Sequence, residues 1–136
     1  MSNFSRHSPN STPPSFPPVL EQVKDTYKRW IPIQRSMPKG ERFGLGQKID
    51  FLFIALLETL HRAAYSPANS KAAFLTEASL TIDSLRFFLQ LAWELKLIPS
   101  KQFTLIGQEI ESIGKMTDGW RKGFLPKTPA EAGEKG

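Results

Sequence analysis

Apolar residues recur every three or four positions through most of the chain, and no segment alternates apolar and polar residues with the two-residue period of a strand. Four segments carry the helical period, at about residues 19–36, 41–65, 71–98 and 100–124. Stretches containing proline, glycine or serine separate them, at 37–41, at 66–70 and at Pro99. Four amphipathic helices joined by short loops predict an all-α fold, an antiparallel four-helix bundle.

The predicted helices have definite faces and ends. We expect the core face of the first helix to be formed by Leu20, Val23, Tyr27, Trp30, Ile31 and Gln34, with a kink at Pro32. The third helix is predicted to extend to Ile98, and Ser100 is the predicted N-cap of the fourth. Gly107 and Gly114 share a flank of the fourth helix, where we expect a neighbouring backbone to approach closely.

Composition separates one folded domain from two polar ends. Residues 1–18 are rich in proline, serine and asparagine and are predicted to be a disordered tail. Residues 126–136 are predicted to be a second disordered tail. Residues 19–125 are then one four-helix domain. The N-terminal stretch lacks the apolar core of a signal peptide, and the longest apolar run, 51–57, is too short to span a bilayer. The chain has no cysteine, which excludes disulfides and thiolate chemistry. We therefore expect a cytoplasmic protein without a membrane partner.

The second and third predicted helices carry more apolar residues than one core stripe needs. The surplus lies on flanks away from the core face and comprises Phe51 and Ile54 of the second helix and Leu80, Phe87 and Leu91 of the third. Apolar patches on a monomer usually mark an interaction surface, so we predict that these residues form a homo-oligomer interface. Two alternatives remain, namely that a tail covers them or that the bundle packs irregularly.

Positive charge is concentrated in one segment. The segment from Lys24 to Lys48 contains seven cationic and two acidic residues. Its net charge of +5 equals the net charge of the whole chain. Such an excess favours a polyanionic partner, either nucleic acid or an acidic membrane surface, although a solvated helix face is the alternative. The cations that we predict to bind nucleic acid are Lys24, Lys28, Arg35, Lys39, Arg42, Lys48, Arg86, Lys115 and Lys122.

Arg86 lies in the middle of an otherwise apolar stretch, SLRFFLQLAWELKLIPS. At helical spacing it belongs to a narrow polar ridge that also contains Ser79, Asp83, Gln90 and Glu94. We expect Asp83 and Gln90 to lie within reach of its guanidinium. The alternatives for Arg86 are a surface ion pair and a contact with phosphate.

The sequence contains no convincing catalytic or metal site. Glu58 and His61 form the Glu-x-x-His half of a di-iron motif, but such a site needs a second pair and two further carboxylates, and the predicted helices contain no other histidine. No phosphate-binding loop, dinucleotide fingerprint or nucleophile elbow is present. We predict a protein that is not an enzyme and that has no metal and no cofactor.

Three stretches resemble a known family in order and spacing. They are YKRWIPIQRSMPKGERFGLGQKI, SLTIDSLRFFLQLAWELKLI and IGKMTDGW, and the most diagnostic motifs are Pro-Lys-x-Glu-Arg-Phe at 38–43, Leu-Arg-Phe-x-Leu at 85–89 and Asp-Gly-Trp at 118–120. Over residues 19–125 the chain resembles the small four-helix bundles that include the accessory variability proteins of diversity-generating retroelements. The same group includes proteins encoded in intervening sequences of large-subunit ribosomal RNA genes.

The resemblance implies a homopentameric barrel of bundles with a basic surface that binds RNA, and DNA as a second option. It also implies association with the reverse transcriptase of the retroelement, which copies a template-repeat RNA into mutated cDNA, with the accessory protein itself non-catalytic. Arg86 matches the arginine of the family's third helix and is expected to contribute to the basic surface. The alternatives are an RNA-binding protein of the ribosomal intervening-sequence type and a structural, oligomeric protein-interaction module.

Overall fold

The computed structural model describes residues 17–125, in which four long helices follow one another. They are α1, Pro18–Ser36; α2, Gln47–Tyr65; α3, Ala68–Glu94; and α4, Ser100–Lys122. A helical turn, Lys39–Glu41, and a π-helical turn, Arg42–Gly46, lead into α2. Residues 17–125 contain no strand, so the predicted all-α fold of four helices is confirmed. The tails predicted at 1–18 and 126–136 lie outside the described residues except for Pro17 and Pro18.

The helices form an antiparallel bundle in which each helix contacts two others. α1 packs against α2 and α4, and α3 packs against the same two helices from the other side. Two contacts show that α2 and α3 run in opposite directions. Lys48 near the start of α2 lies over the ring of Phe88 near the end of α3, and Thr59 later in α2 donates a hydrogen bond to Glu77 earlier in α3. The short connections between successive helices enforce this up-and-down order.

α1 continues through its internal proline. Pro32 lies inside the helix, which runs on to Ser36, and the Ser36 hydroxyl donates to the Pro32 carbonyl at 2.9 Å. The helix begins at Pro18, where a missing N–H removes no helical hydrogen bond.

The core face at the C-terminal end of α1 differs from the prediction. Ile33 and Met37 are buried there, whereas Ile31 and Gln34 are only half-buried. The buried stripe runs through Trp30 and continues at spacings of three and then four residues, which places Ile31 on the flank. The predicted membership of Ile31 and Gln34 in the core is therefore wrong.

The chain reverses at Met37 and is helical again from Lys39, earlier than predicted. Arg42 holds this reversal, since its backbone N–H donates to the Pro38 carbonyl at 2.8 Å and its Nη2 donates to the Met37 carbonyl at 3.1 Å. Gly46 allows the close approach of α1, because a Cβ at this position would lie 3.0 Å from Met37 Sδ.

α3 ends at Glu94, so its predicted extension to Ile98 is wrong. Two backbone hydrogen bonds close the helix: Lys96 N–H to the Trp93 carbonyl (2.9 Å) and Leu97 N–H to the Ala92 carbonyl (2.8 Å). This pair is a Schellman motif, which ends a helix at a residue in the left-handed conformation. Lys96 occupies that position with φ of 63°.

The predicted cap of α4 is also wrong. Ser100 is the first helical residue rather than the cap, which is Pro99, and no side chain caps the helix. The Ser100 hydroxyl instead accepts a hydrogen bond from Trp93 Nε1 at 3.1 Å, so it connects the end of α3 to the start of α4.

The core fills the space between the four helices. Trp30 of α1 stacks on Phe53 of α2 with ring centroids 5.9 Å apart, and Tyr27 packs against the same phenylalanine at 5.7 Å. The other large buried side chains come from all four helices and the adjoining turns and include Met37, Ile49, Leu56, Leu60, Leu75, Ile82, Leu85, Ile98, Ile106 and Ile110. Burial of this apolar surface is the main source of stability.

Candidate nucleic-acid interface

The antiparallel arrangement sorts charge along the bundle. One half of the bundle comprises residues 28–56 and 82–110. It contains the C-terminal part of α1, the start of α2 and the α3–α4 connection. This basic half holds nine cations and five acids, a balance of +4, whereas the rest of the described residues hold six of each. All of the net charge of residues 17–125 therefore lies in the basic half.

The predicted cations do not form one cluster. Six of them fall in the basic half, namely Lys28, Arg35, Lys39, Arg42, Lys48 and Arg86, while Lys24, Lys115 and Lys122 fall in the other half. Lys28 and Lys39 are exposed and make no ion pair with another described residue. Lys24 pairs with Glu21 at 3.4 Å. Lys28 of α1 and Lys39 of the turn after it therefore carry charge that is unpaired within the described residues, as do the exposed Lys115 and Lys122 of the other half.

Two of the predicted cations also have structural contacts. The Lys48 ammonium of α2 lies over the ring of Phe88 of α3, 5.6 Å from its centroid. This cation–π contact connects the two helices. Arg42 is half-buried and bonds the Met37 carbonyl, so only part of its guanidinium faces solvent. Both residues contribute charge; Lys48 also contacts α3, and Arg42 also fixes the geometry of the turn.

Arg86 is already engaged by two carboxylates. Its Nη1 bonds Asp83 Oδ1 and its Nε bonds Glu111 Oε2 of α4, both at 2.7 Å. The expected contact with Asp83 is confirmed, but Gln90 bonds Glu94 at 3.1 Å and does not reach Arg86. The two carboxylates offset the cation, which weakens its attraction for phosphate. Arg86 binding to nucleic acid remains a prediction, and the visible role of this side chain is to join α3 to α4.

The same guanidinium explains one of the two glycines predicted to share a flank of α4. A Cβ at Gly114 would lie 2.5 Å from Arg86 Nη2, so the arginine packs directly on the glycine backbone. Nothing lies within 4 Å of the corresponding position at Gly107. The close approach predicted at both glycines therefore occurs only at Gly114, and a side chain rather than a backbone makes it.

The predicted interface residues are largely solvent-exposed. Phe51 is 60% exposed, Ile54 43%, and Leu80 and Phe87 are each 63% exposed, while Leu91 is half-buried. The sequence analysis missed Phe43, which lies on the π-helical turn and is also 63% exposed. These side chains leave the outer faces of α2 and α3 apolar.

A shallow apolar groove runs between α1 and α2, next to Ile54. It has a volume of about 450 Å³ and is lined by Leu20, Lys24, Ile54, Leu57, Glu58 and His61. Glu58 and His61 thus lie at a surface, and the His61 ring packs against Tyr65 with centroids 4.9 Å apart. Residues 17–125 contain no group of three or more potential ligands that could hold a metal ion.

A tyrosine links the helices below the basic turn. The Tyr27 hydroxyl of α1 donates to Asp50 Oδ1 of α2 at 2.9 Å. Burial raises the pKa of Tyr27, and the hydrogen bond to the Asp50 carboxylate raises it further. The hydroxyl therefore stays protonated and keeps α1 and α2 aligned.

Three cations of the basic half are not among the predicted binding residues, namely Arg29, Lys96 and Lys101. Arg29 of α1 bonds Glu109 Oε2 of α4 at 2.8 Å, and Lys96 occupies the left-handed position after α3. Pro99 limits the helix to Ile98 at the latest, but the earlier end before Lys96 has no glycine to signal it in the sequence. The partner of Arg29 has no local sequence signal because 80 residues separate the pair.

Within residues 17–125, no helix combines the length and the apolar character that crossing a bilayer requires.

No curated protein matches the chain. A family model described as bAvd-like matches residues 19–124, which is more than three quarters of the sequence and all four helices apart from the first residue of α1. The match agrees with the motifs of the π-helical turn, α3 and α4, and it indicates an accessory role in a diversity-generating retroelement. The chain belongs to the bAvd-like family.

Proposed function

We propose that this protein is a non-catalytic, oligomeric subunit that joins the reverse transcriptase of a diversity-generating retroelement to its template-repeat RNA and so supports mutagenic cDNA synthesis. The observation that carries the proposal is that the basic half holds all the net positive charge of residues 17–125 in a bundle from the bAvd-like family. A localised cationic surface without a base-reading motif suits contacts to a phosphate backbone.

The exposed apolar residues support the oligomeric part of the proposal. Phe51 and Ile54 on α2, with Leu80 and Phe87 on α3, would be covered when copies of the chain pack side by side. We propose a closed homopentamer, in which the interface repeats around the ring. Light scattering at micromolar concentration would then give about five times the mass of one chain, and a monomer would contradict this part.

A single substitution tests the interface without disturbing the core. Phe87→Asp places a charge on an exposed position of α3, so the bundle should still fold while the oligomer dissociates. Thr76→Asp, at another exposed position of the same helix, is the matched control and should leave the mass unchanged. An oligomer that persists in the Phe87 variant would place the interface elsewhere.

The nucleic-acid part is tested by the salt dependence of RNA binding. A triple Ala variant at Lys28, Lys39 and Lys48 removes three exposed cations of the basic half. Because each phosphate contact to a single strand contributes about 0.7 to the log–log salt slope, we expect the slope to fall by about 2 and binding to weaken. A wild-type affinity that does not change with salt would refute phosphate contacts altogether.

A matched triple Ala variant at Arg62, Lys115 and Lys122 removes the same charge from the other half of the bundle. If it weakens RNA binding as much as the first variant does, charge in general rather than the basic half is responsible. The retroelement role requires a further assay, in which the reverse transcriptase copies template-repeat RNA with and without the protein. Failure to co-purify with the polymerase and equal cDNA yields would refute that role.

A further inference from the structure

Lys96 stands where the fold favours glycine. It is the left-handed residue of the Schellman motif that ends α3, with φ of 63°. Glycine is the usual residue at this position because it has no Cβ to clash with the backbone. Lys96 is the one non-glycine residue with positive φ in residues 17–125. A strained residue at a surface points to a use for its side chain that is independent of folding.

Lys96 also lines a cleft between three elements of the basic half. The cleft has a volume of about 370 Å³, and its polar side chains are Arg29 and Ser36 of α1, Lys96 of the loop and Gln102 of α4. Such a volume holds a phosphate group together with several waters, since one water fills about 30 Å³. Three separate elements therefore bring hydrogen-bond donors to one concave surface.

The donors of the cleft retain free capacity. Arg29 uses Nε to bond Glu109, and its two terminal nitrogens bond no other described residue. Lys96 is exposed and makes no ion pair within residues 17–125, and the Gln102 amide has no partner there either. The Lys96 ammonium has no carboxylate partner within residues 17–125, whereas Glu109 offsets part of the Arg29 charge and leaves its terminal nitrogens open. Charged N–H donors with open positions bind phosphate oxygens strongly.

We propose that this cleft binds one backbone phosphate of single-stranded RNA, with Lys96 and Arg29 as the cations that contact it and Gln102 as an additional donor. The inference rests on the proposed function, because the RNA tract would continue onto the neighbouring Lys28 of α1. It adds Lys96 of the α3–α4 connection to Arg29, which belongs to the segment in which the sequence concentrates charge.

The decisive variant is Lys96→Gly, because its effects on folding and on binding have opposite signs. Glycine relieves the left-handed strain, so the midpoint of urea unfolding should rise. Loss of the ammonium should weaken binding of a single-stranded RNA oligonucleotide by about tenfold, as expected for one charge-assisted hydrogen bond. The log–log salt slope should fall by about 0.7.

Three further variants complete the experiment, which uses the full chain. Lys96→Arg keeps the charge and should bind RNA like the wild type, whereas Gln102→Ala should weaken binding without affecting the salt slope. Arg62→Gln removes one exposed charge from the other half of the bundle and is the control for net charge. Inorganic phosphate is titrated separately to distinguish a site for the free anion from a site for RNA.

The outcomes separate this site from the proposed function. If wild-type RNA binding is steeply salt-dependent but Lys96→Gly binds equally well, the cleft is refuted and the proposed function stands. If the wild type binds no RNA, both fail. If Lys96→Gly unfolds more easily than the wild type, the lysine supports the fold and the inference from strain is overturned. Binding of inorganic phosphate in the cleft, with RNA affinity unaffected by the variants, would overturn the RNA assignment.

Discussion

The packing of Arg86 on Gly114 leads to a quantitative prediction about Gly114→Ala. Alanine is favoured over glycine inside a helix by about 1 kcal/mol. The new methyl group, however, would lie 2.5 Å from Arg86 Nη2, so the guanidinium must move. The displacement breaks the pairs with Asp83 and Glu111, which are exposed ion pairs worth about 0.2–1 kcal/mol each. The gain and the loss nearly cancel, and we expect the free energy of unfolding to change by less than about 1 kcal/mol.

A double-mutant cycle separates these two opposing terms. In an Arg86→Ala background nothing remains to be displaced, so Gly114→Ala should stabilise the protein by the full helix-propensity gain of about 1 kcal/mol. The coupling energy between the two positions should therefore equal the two ion pairs, roughly 0.4–2 kcal/mol. Urea unfolding at one fixed protein concentration measures it, since oligomer formation makes stability depend on concentration.

Gly107 provides the matched control in the same helix. Nothing lies within 4 Å of its Cβ position, so Gly107→Ala should stabilise the protein by about 1 kcal/mol whether or not Arg86 is present. A coupling energy below about 0.3 kcal/mol at Gly114, or an equal coupling at Gly107, would refute the packing of Arg86 on the glycine.

Three other predictions concern the contacts that hold the helices together. Lys71 donates two hydrogen bonds, at 2.6 and 3.2 Å, to carbonyls at the end of α2, so Lys71→Met should reduce the free energy of unfolding in urea by about 1–3 kcal/mol. The pKa of Tyr27 is raised in the folded state, first by burial and then by the hydrogen bond to Asp50, so its contribution to stability is present below pH 10 and is lost as the pH rises above it. Tyr27→Phe should reduce this alkaline loss in unfolding measured from pH 8 to 11, and an identical profile would contradict the raised pKa. Gly46→Ala would bring a methyl group to 3.0 Å from Met37 Sδ and 3.2 Å from a backbone carbonyl, and should destabilise the fold by about 1–3 kcal/mol, measured by urea unfolding.

Local periodicity was sufficient to predict the helices but not their ends. The apolar spacing of α2 and α4 follows directly from the sequence, because each buries one continuous stripe. The end of α3 depends instead on a left-handed residue and two backbone hydrogen bonds, and the sequence has a lysine there rather than the glycine that usually signals such an end. The error at Ile31 has a similar origin, since the flank of a helix cannot be separated from its core face until its neighbours are placed.

The candidate site was predictable only in part, because the tertiary fold decides which charged residues lie together on one surface. The run of cations in residues 24–48 is visible in the sequence. The two carboxylates that hold Arg86 and Arg29 to α4, Glu111 and Glu109, are distant in sequence and meet these arginines only in the register of the folded bundle. The same register brings Lys96 beside Arg29, so a contact that no local pattern indicates becomes part of the basic half.

The uneven distribution of charge gives the bundle an electric dipole along its axis, with one half at +4 and the other neutral. A polyanion approaching from a distance would turn the molecule before contact, so productive encounters would occur end-on and their rate would fall as salt screens the field. In a ring built by a single rotation axis, every copy has the same orientation along that axis. In a ring whose bundle axes run along the rotation axis the dipoles would add, and one face of the assembly, rather than both, would attract the nucleic acid.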